Sequence, residues 1–108
     1  MKIYIKKEST FNYLSSGDKK VEGRLYKGIF KKIKENDIIE FCFQNQTLLA
    51  KIQELKKYDN FYSFLISEEM NFILPGVKEI DEGVKIYNEY YPKNKDNKVI
   101  SIKFNLLN

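Results

Sequence analysis

At 108 residues and 12.9 kDa the chain has the length of one domain spanning 1–108, since two domains would each be too small to bury a core unaided. Hydrophobic residues at 43% and charged residues at 31% describe a globular chain, with no apolar run near the roughly 20 residues that cross a bilayer and no signal-peptide pattern at the start. Histidine is absent and Cys42 is the lone cysteine. This excludes His-based nucleophile systems, the usual zinc sites and an intrachain disulfide, so the expectation is a cytoplasmic protein with no metal and no cofactor. In chain order, Lys2–Lys6 alternates as a first strand, and Ser9 is placed to cap a short helix carrying Phe11 and Leu14 and ending at Gly17. Lys20–Tyr26 reads as a strand with Val21, Gly23 and Leu25 on one side and Lys20, Glu22, Arg24 and Tyr26 on the other.

A basic connector, residues 27–36, leads to an Asn36-Asp37 turn and a strand over Ile38–Phe43. In that strand Cys42 lies between Phe41 and Phe43 and reads as packing, because no histidine is present to activate it. Gln44-Asn45-Gln46 turns into a strand over Thr47–Leu55, in which Leu48, Ala50 and Ile52 alternate. Asp59 is placed to cap a second helix holding Phe61, Phe64 and Leu65, and residues 68–76 show no regular pattern. A third helix opens at Glu79 or Asp81 with Ile80, Val84, Tyr87 and Tyr91 in one stripe, and Pro92 stops it. After a charged loop at 93–98, Val99–Leu106 alternates as the closing strand. Short strands with small helices between them predict a mixed, mostly antiparallel α+β barrel.

The net charge of +4 is uneven. Residues 1–34 carry +7 and residues 35–108 carry −3, so the basic half can attract polyanions. Arg24 is the sole arginine among nineteen basic residues, in a chain that otherwise uses lysine throughout. A planar, bidentate guanidinium is the property lysine cannot supply. Glu22 and Arg24, two apart on a strand, share a face, and Gly17 lets the backbone turn so that Lys19 enters at its mouth. Such a trio can hold an anion and also offer an acceptor to a base or amide edge; otherwise it is a solvated ion pair worth about 0–1 kcal/mol.

The stretch Gly17-Asp18-Lys19-Lys20-Val21-Glu22-Gly23-Arg24 resembles the ASCH domain signature G-x-K-x-x-E-x-R, matching all four fixed positions. Lys34–Phe41 is similar to that family's K-x-G-D-x-I-x-F turn and strand, with Asn36 in place of Gly, and Glu82–Tyr87 with Tyr91-Pro92 resembles the late helix of small bacterial members. The resemblance implies a PUA-like small, mostly antiparallel β-barrel with about three short peripheral helices. It also implies an RNA- or modified-nucleotide-binding module whose cleft is lined by Gly17, Lys19, Lys20, Glu22, Arg24 and Tyr26. Tyr26, Phe30, Tyr58 and Tyr62 are further candidates for stacking on a base.

An alternative is a hydrolase acting on RNA or on a modified nucleoside. Some small members cleave an acyl amide of N4-acetylcytidine, with the motif lysine at the place of Lys19 and a threonine where this chain has Glu22. In that case Lys19 and Glu22 are the catalytic candidates, with Glu68 or Glu69 nearest to a further expected carboxylate. A protein-interaction role is the third reading; it predicts an exposed apolar patch, for which the sequence offers no evident candidate.

Overall fold

The alternating segments assemble into a five-stranded mixed sheet, described in a computed structural model for residues 1–94 and 96–107. The strands are β1 (Lys2–Tyr4), β2 (Val21–Leu25), β3 (Ile38–Phe43), β4 (Gln46–Tyr58) and β5 (Val99–Leu106). They lie in the order β1-β3-β4-β5-β2. β1 runs parallel to β3, and every other neighbouring pair is antiparallel. The sheet curls into a half-barrel whose two edges, β1 and β2, are joined by the first helix, α1 (Glu8–Ser16). Three further helices, α2 (Phe61–Ser67), α3 (Met70–Ile73) and α4 (Ile80–Tyr90), and a 3-10 turn at Gly28–Lys31 complete the described structure.

Alternation along the strands produces two cores. On one face Ile39, Phe41, Ala50, Ile52, Ile102 and Phe104 pack against Phe11 and Leu14 of α1. On the other, Val21, Leu25 and Val99 meet Phe61, Phe64 and Leu65 of α2, Ile73 of α3 and Tyr87 of α4. The register pairs Glu22 with Ile102 and Arg24 with Ile100, which puts both charged residues on the α1 side. Gly23 faces the helices. A Cβ there would stand 2.4 Å from Cε2 of Phe64, so the missing side chain is what lets α2 lie against β2.

β4 is longer than its alternation suggests. A bulge between Ile52 and Glu54 inserts Gln53 and shifts the phase, so that Ala50 and Ile52 face the α1 side before it and Leu55 and Lys57 after it. The predicted end at Leu55 reflects that phase change, and the strand continues to Tyr58.

Two caps also differ from expectation. The residue before α1 is Lys7, which leaves Ser9 inside the first turn with no capping role. For α2 the cap is Asn60, whose Oδ1 accepts from the Ser63 N–H at 2.8 Å, while Asp59 pairs with Lys98 at 3.5 Å. The short α3 lies in the segment without pattern, bringing the α-helices to four where about three are expected. Gly17 ends α1 in the left-handed region at φ 85°, as the turn requires. Cys42 is buried, its thiol beside the Glu40 carbonyl.

Candidate functional site

Lys19 and Glu22 are the buried charges of the described structure, at 4% and 6% exposure. Their positions follow from the turn after Gly17: the Lys19 N–H donates to the Tyr13 carbonyl at 3.0 Å, which folds the lysine back beneath β2. Its ammonium donates to the carbonyls of Ile73 at 2.6 Å and Val21 at 3.0 Å, and lies 3.4 Å from Oε1 of Glu22. These three acceptors match the three donors of an ammonium group. The other carboxylate oxygen, Oε2, is 3.4 Å from Nη2 of Arg24.

Burial pulls Lys19 below its ordinary range, with the Glu22 charge opposing that pull. For Glu22, burial pushes the carboxyl up, but Lys19 and Arg24 together overcome it and hold the group below the usual carboxylate range. Arg24 stays charged: burial weakens it, and Glu22, with Tyr91 and Tyr87 beside it, more than compensates. With all three groups ionised the cluster has a formal charge of +1, and its exposed end is the Arg24 guanidinium, which is 25% exposed and stands over the Phe30 ring at 5.8 Å.

Above this cluster is a cavity of about 260 Å³. It occupies the gap between the two sheet edges, walled by Tyr4 and Ile5 at β1, Thr10 and Tyr13 of α1, Glu22–Arg24 of β2, Leu74 and Pro75 after α3, and Tyr87, Tyr90 and Tyr91 at the end of α4. Lys6 and Lys7 lie at its mouth. Tyr87 and Tyr91 are fixed because they stack on Phe61 from the same helix edge, with ring centroids 4.3 Å and 5.5 Å from it. Tyr4, Tyr13 and Tyr90 remain exposed at the rim. Burial raises the Tyr87 hydroxyl well above its ordinary pKa, and the Glu22 charge adds to it; Tyr91 shifts the same way, with Arg24 opposing.

The edge position of β2 adds backbone groups. The Phe104 N–H donates to the Lys20 carbonyl at 3.2 Å and the Tyr26 N–H to the Lys98 carbonyl at 2.7 Å. By that alternation the amides of Val21 and Gly23 point away from β5, toward the gap. The Val21 carbonyl is taken by Lys19, and Gly23 lines the cavity.

Of the residues singled out in the sequence, Lys19, Glu22 and Arg24 converge at the cavity. Gly17 sits behind them as a helix cap. Lys20 is turned outward with its ammonium 4.7 Å from the Phe72 ring, and Tyr26 packs beside the first core under Lys57. Tyr58 donates to Glu68, placing both at the α2 end of β4, and neither Glu68 nor Glu69 lines the cavity. Tyr62 is exposed on α2. The rim tyrosines have no common sequence signal, because three separate segments, β1, α1 and α4, bring them together. Among the described residues no helix is long and apolar enough to cross a membrane, and no group of three or more His, Cys, Asp or Glu could hold a metal ion.

A curled sheet closed by α1, with a buried Lys19–Glu22 pair and a partly exposed Arg24 at the gap between its edges, defines a small α+β half-barrel class of domain. The chain belongs to the ASCH domain family, whose profile matches residues 5–107 and which is generally linked to RNA binding. It is similar to the crystal structure of hypothetical protein PH0355, at 34% identity over 99% of this chain and 100% of that one, with a TM-score of 0.85. The solution NMR structure of protein PF0455 from Pyrococcus furiosus is 30% identical over 99% and 98% of the two chains, with a TM-score of 0.77. A mutant ZmASCH protein from Zymomonas mobilis shares the fold at 15% identity, covering 96% of this chain and 66% of that one, with a TM-score of 0.67. No curated protein matches the chain.

Proposed function

We propose that this protein binds RNA by taking one unpaired nucleotide, plain or modified, into the cavity between β1 and β2. The observation that carries this reading is the buried Lys19–Glu22 pair, which aims the Arg24 guanidinium into a cavity rimmed by tyrosines. A volume of about 260 Å³ lies just under the roughly 300 Å³ at which drug-sized pockets begin, so it suits one base or nucleoside and cannot take a duplex. Arg24 supplies donors for a base edge or phosphate, Gly23 a backbone edge, and the rim tyrosines faces for stacking.

Hydrolysis is less well supported by the same geometry. The lowered pKa of Lys19 favours a general base, but its three donors are spent on Val21, Ile73 and Glu22, and the neutral amine has only two. Glu22 is likewise held charged by two cations.

The test is a titration of wild type and Arg24→Ala with single-stranded RNA, a perfect RNA duplex and N4-acetylcytidine. Single-stranded RNA should bind best, and Arg24→Ala should lose about tenfold, equivalent to about 1.4 kcal/mol. Equal affinity for the blunt duplex would refute a one-nucleotide pocket. Acetate release from N4-acetylcytidine that disappears in Lys19→Ala would replace the binding reading with the hydrolytic one.

A further inference from the structure

Beyond the cavity, the other side of Arg24 holds a second cluster. The register aligns Arg24 of β2, Ile100 of β5 and Lys57 of β4 in one row across the sheet. Arg24 and Lys57 thus share a face two strands apart, about 10 Å between backbones. Lys57 reaches that face because the Gln53 bulge shifts the phase of β4; without it, Lys56 would point there. The 3-10 turn folds over the row, placing Phe30 beside Arg24 and bringing Lys31 to Tyr26.

The Tyr26 ring then carries two ammonium groups. Lys57 Nζ is 4.5 Å from the ring centroid and donates to the Tyr26 hydroxyl at 3.4 Å, and Lys31 Nζ is 5.7 Å from the same centroid. Neither lysine pairs with a carboxylate among the described residues, whereas the neighbouring Lys56 and Lys98 do, with Glu54 and Asp59. Two like charges gathered on one ring repel, and an anion between them reverses the sign of that energy. The Tyr26 hydroxyl accepts from Lys57, so its own proton is left to donate.

We infer that Lys31, Lys57 and Tyr26 form a phosphate-binding position for the nucleotide next to the one held in the cavity. The inference rests on the cavity being the RNA site and deepens it: the ligand is a strand with a bridging phosphate, and a free nucleoside fills only half of the site. Tyr26 acts here through its hydroxyl and as a platform for the two lysines.

The experiment titrates hexauridylate and uridine into wild type, Lys31→Gln/Lys57→Gln, and a control of equal charge loss on the same connector, Lys32→Gln/Lys34→Gln. The Lys31/Lys57 variant should weaken hexauridylate about tenfold at low salt and make the log–log salt slope shallower by about 0.7, the value for one phosphate contact on a single strand. Its affinity for uridine should equal that of wild type, and the control should change hexauridylate binding less than about twofold. Equal losses in the two double variants would overturn the phosphate position by reducing it to general charge. So would a matching loss for uridine, which would show a damaged fold. If hexauridylate binding depends on Arg24 but ignores Lys31 and Lys57, the phosphate position falls and the cavity reading stands. If wild type binds neither probe, both fall.

Discussion

Replacing Lys19 with methionine keeps the stem and deletes the ammonium, and so measures what the buried pair holds together. Glu22 would keep only the Nη2 contact of Arg24 at 3.4 Å, and the Ile73 and Val21 carbonyls would lose donors at 2.6 Å and 3.0 Å. Removing one partner of a buried pair typically costs about 3–5 kcal/mol, and Arg24 still faces the carboxylate, which favours the lower half of that range. Of a total stability of about 5–15 kcal/mol, this is a large share. At about 4 °C per kcal/mol for a chain of this size, the melting temperature should fall by roughly 12–16 °C. Urea unfolding followed by circular dichroism gives the free energy directly. The double variant Lys19→Met/Glu22→Met, which puts apolar groups in place of both charges, should recover much of the loss, because an apolar pair of similar volume needs no counter-charge. A loss below about 1 kcal/mol in Lys19→Met, or a double variant no better than the single one, would refute the role of Lys19 as a structural post for Glu22.

Other substitutions separate the remaining causes. Glu22→Gln should destabilise at neutral pH, by an amount that shrinks as pH falls below about 4.5, because the unfolded carboxyl takes up its proton before the folded one; urea melts between pH 7 and 3 check this, and a pH-independent difference would contradict it. Gly23→Ala should cost about 1–3 kcal/mol, since the new Cβ meets the fully buried Phe64 ring at 2.4 Å. In a thermal melt Gly23→Ala/Phe64→Leu should regain part of that loss. Gly17→Ala should cost about 1 kcal/mol from backbone strain alone, because φ is +85° and nothing lies within 4 Å of the added atom.

How far the sequence reveals this arrangement depends on how local each feature is. The bounds of β3 and β5 are legible from alternation, and the stripe of Ile80, Val84, Tyr87 and Tyr91 packs on the second core as a helical face should. The last three residues of β4, Lys56–Tyr58, are hidden because one inserted residue reverses which parity faces inward, and the alternation of Leu48, Ala50 and Ile52 does not carry past it. α3 is a single turn, too short to show a period. Lys19, Glu22 and Arg24 stand out because their spacing lies within one turn and one strand. The sequence places Lys20 and Tyr26 on the same face as Glu22, but both lie just beyond the ends of β2, where the backbone leaves the sheet and Lys20 turns to Phe72. Tyr4, Tyr13, Tyr90 and Tyr91 become neighbours only when β1, α1 and α4 close over β2, a long-range event with no local signature.

The central claim is that RNA enters the gap between the two sheet edges, and amide chemical-shift mapping of the labelled protein with a short single-stranded RNA tests it most directly. The largest shifts should fall on Tyr4, Tyr13, Gly23, Arg24, Tyr90 and Tyr91, and at an RNA concentration near the wild-type Kd they should shrink several-fold in Arg24→Ala. Shifts spread over the exposed lysines while Gly23 and Arg24 stay still would contradict it.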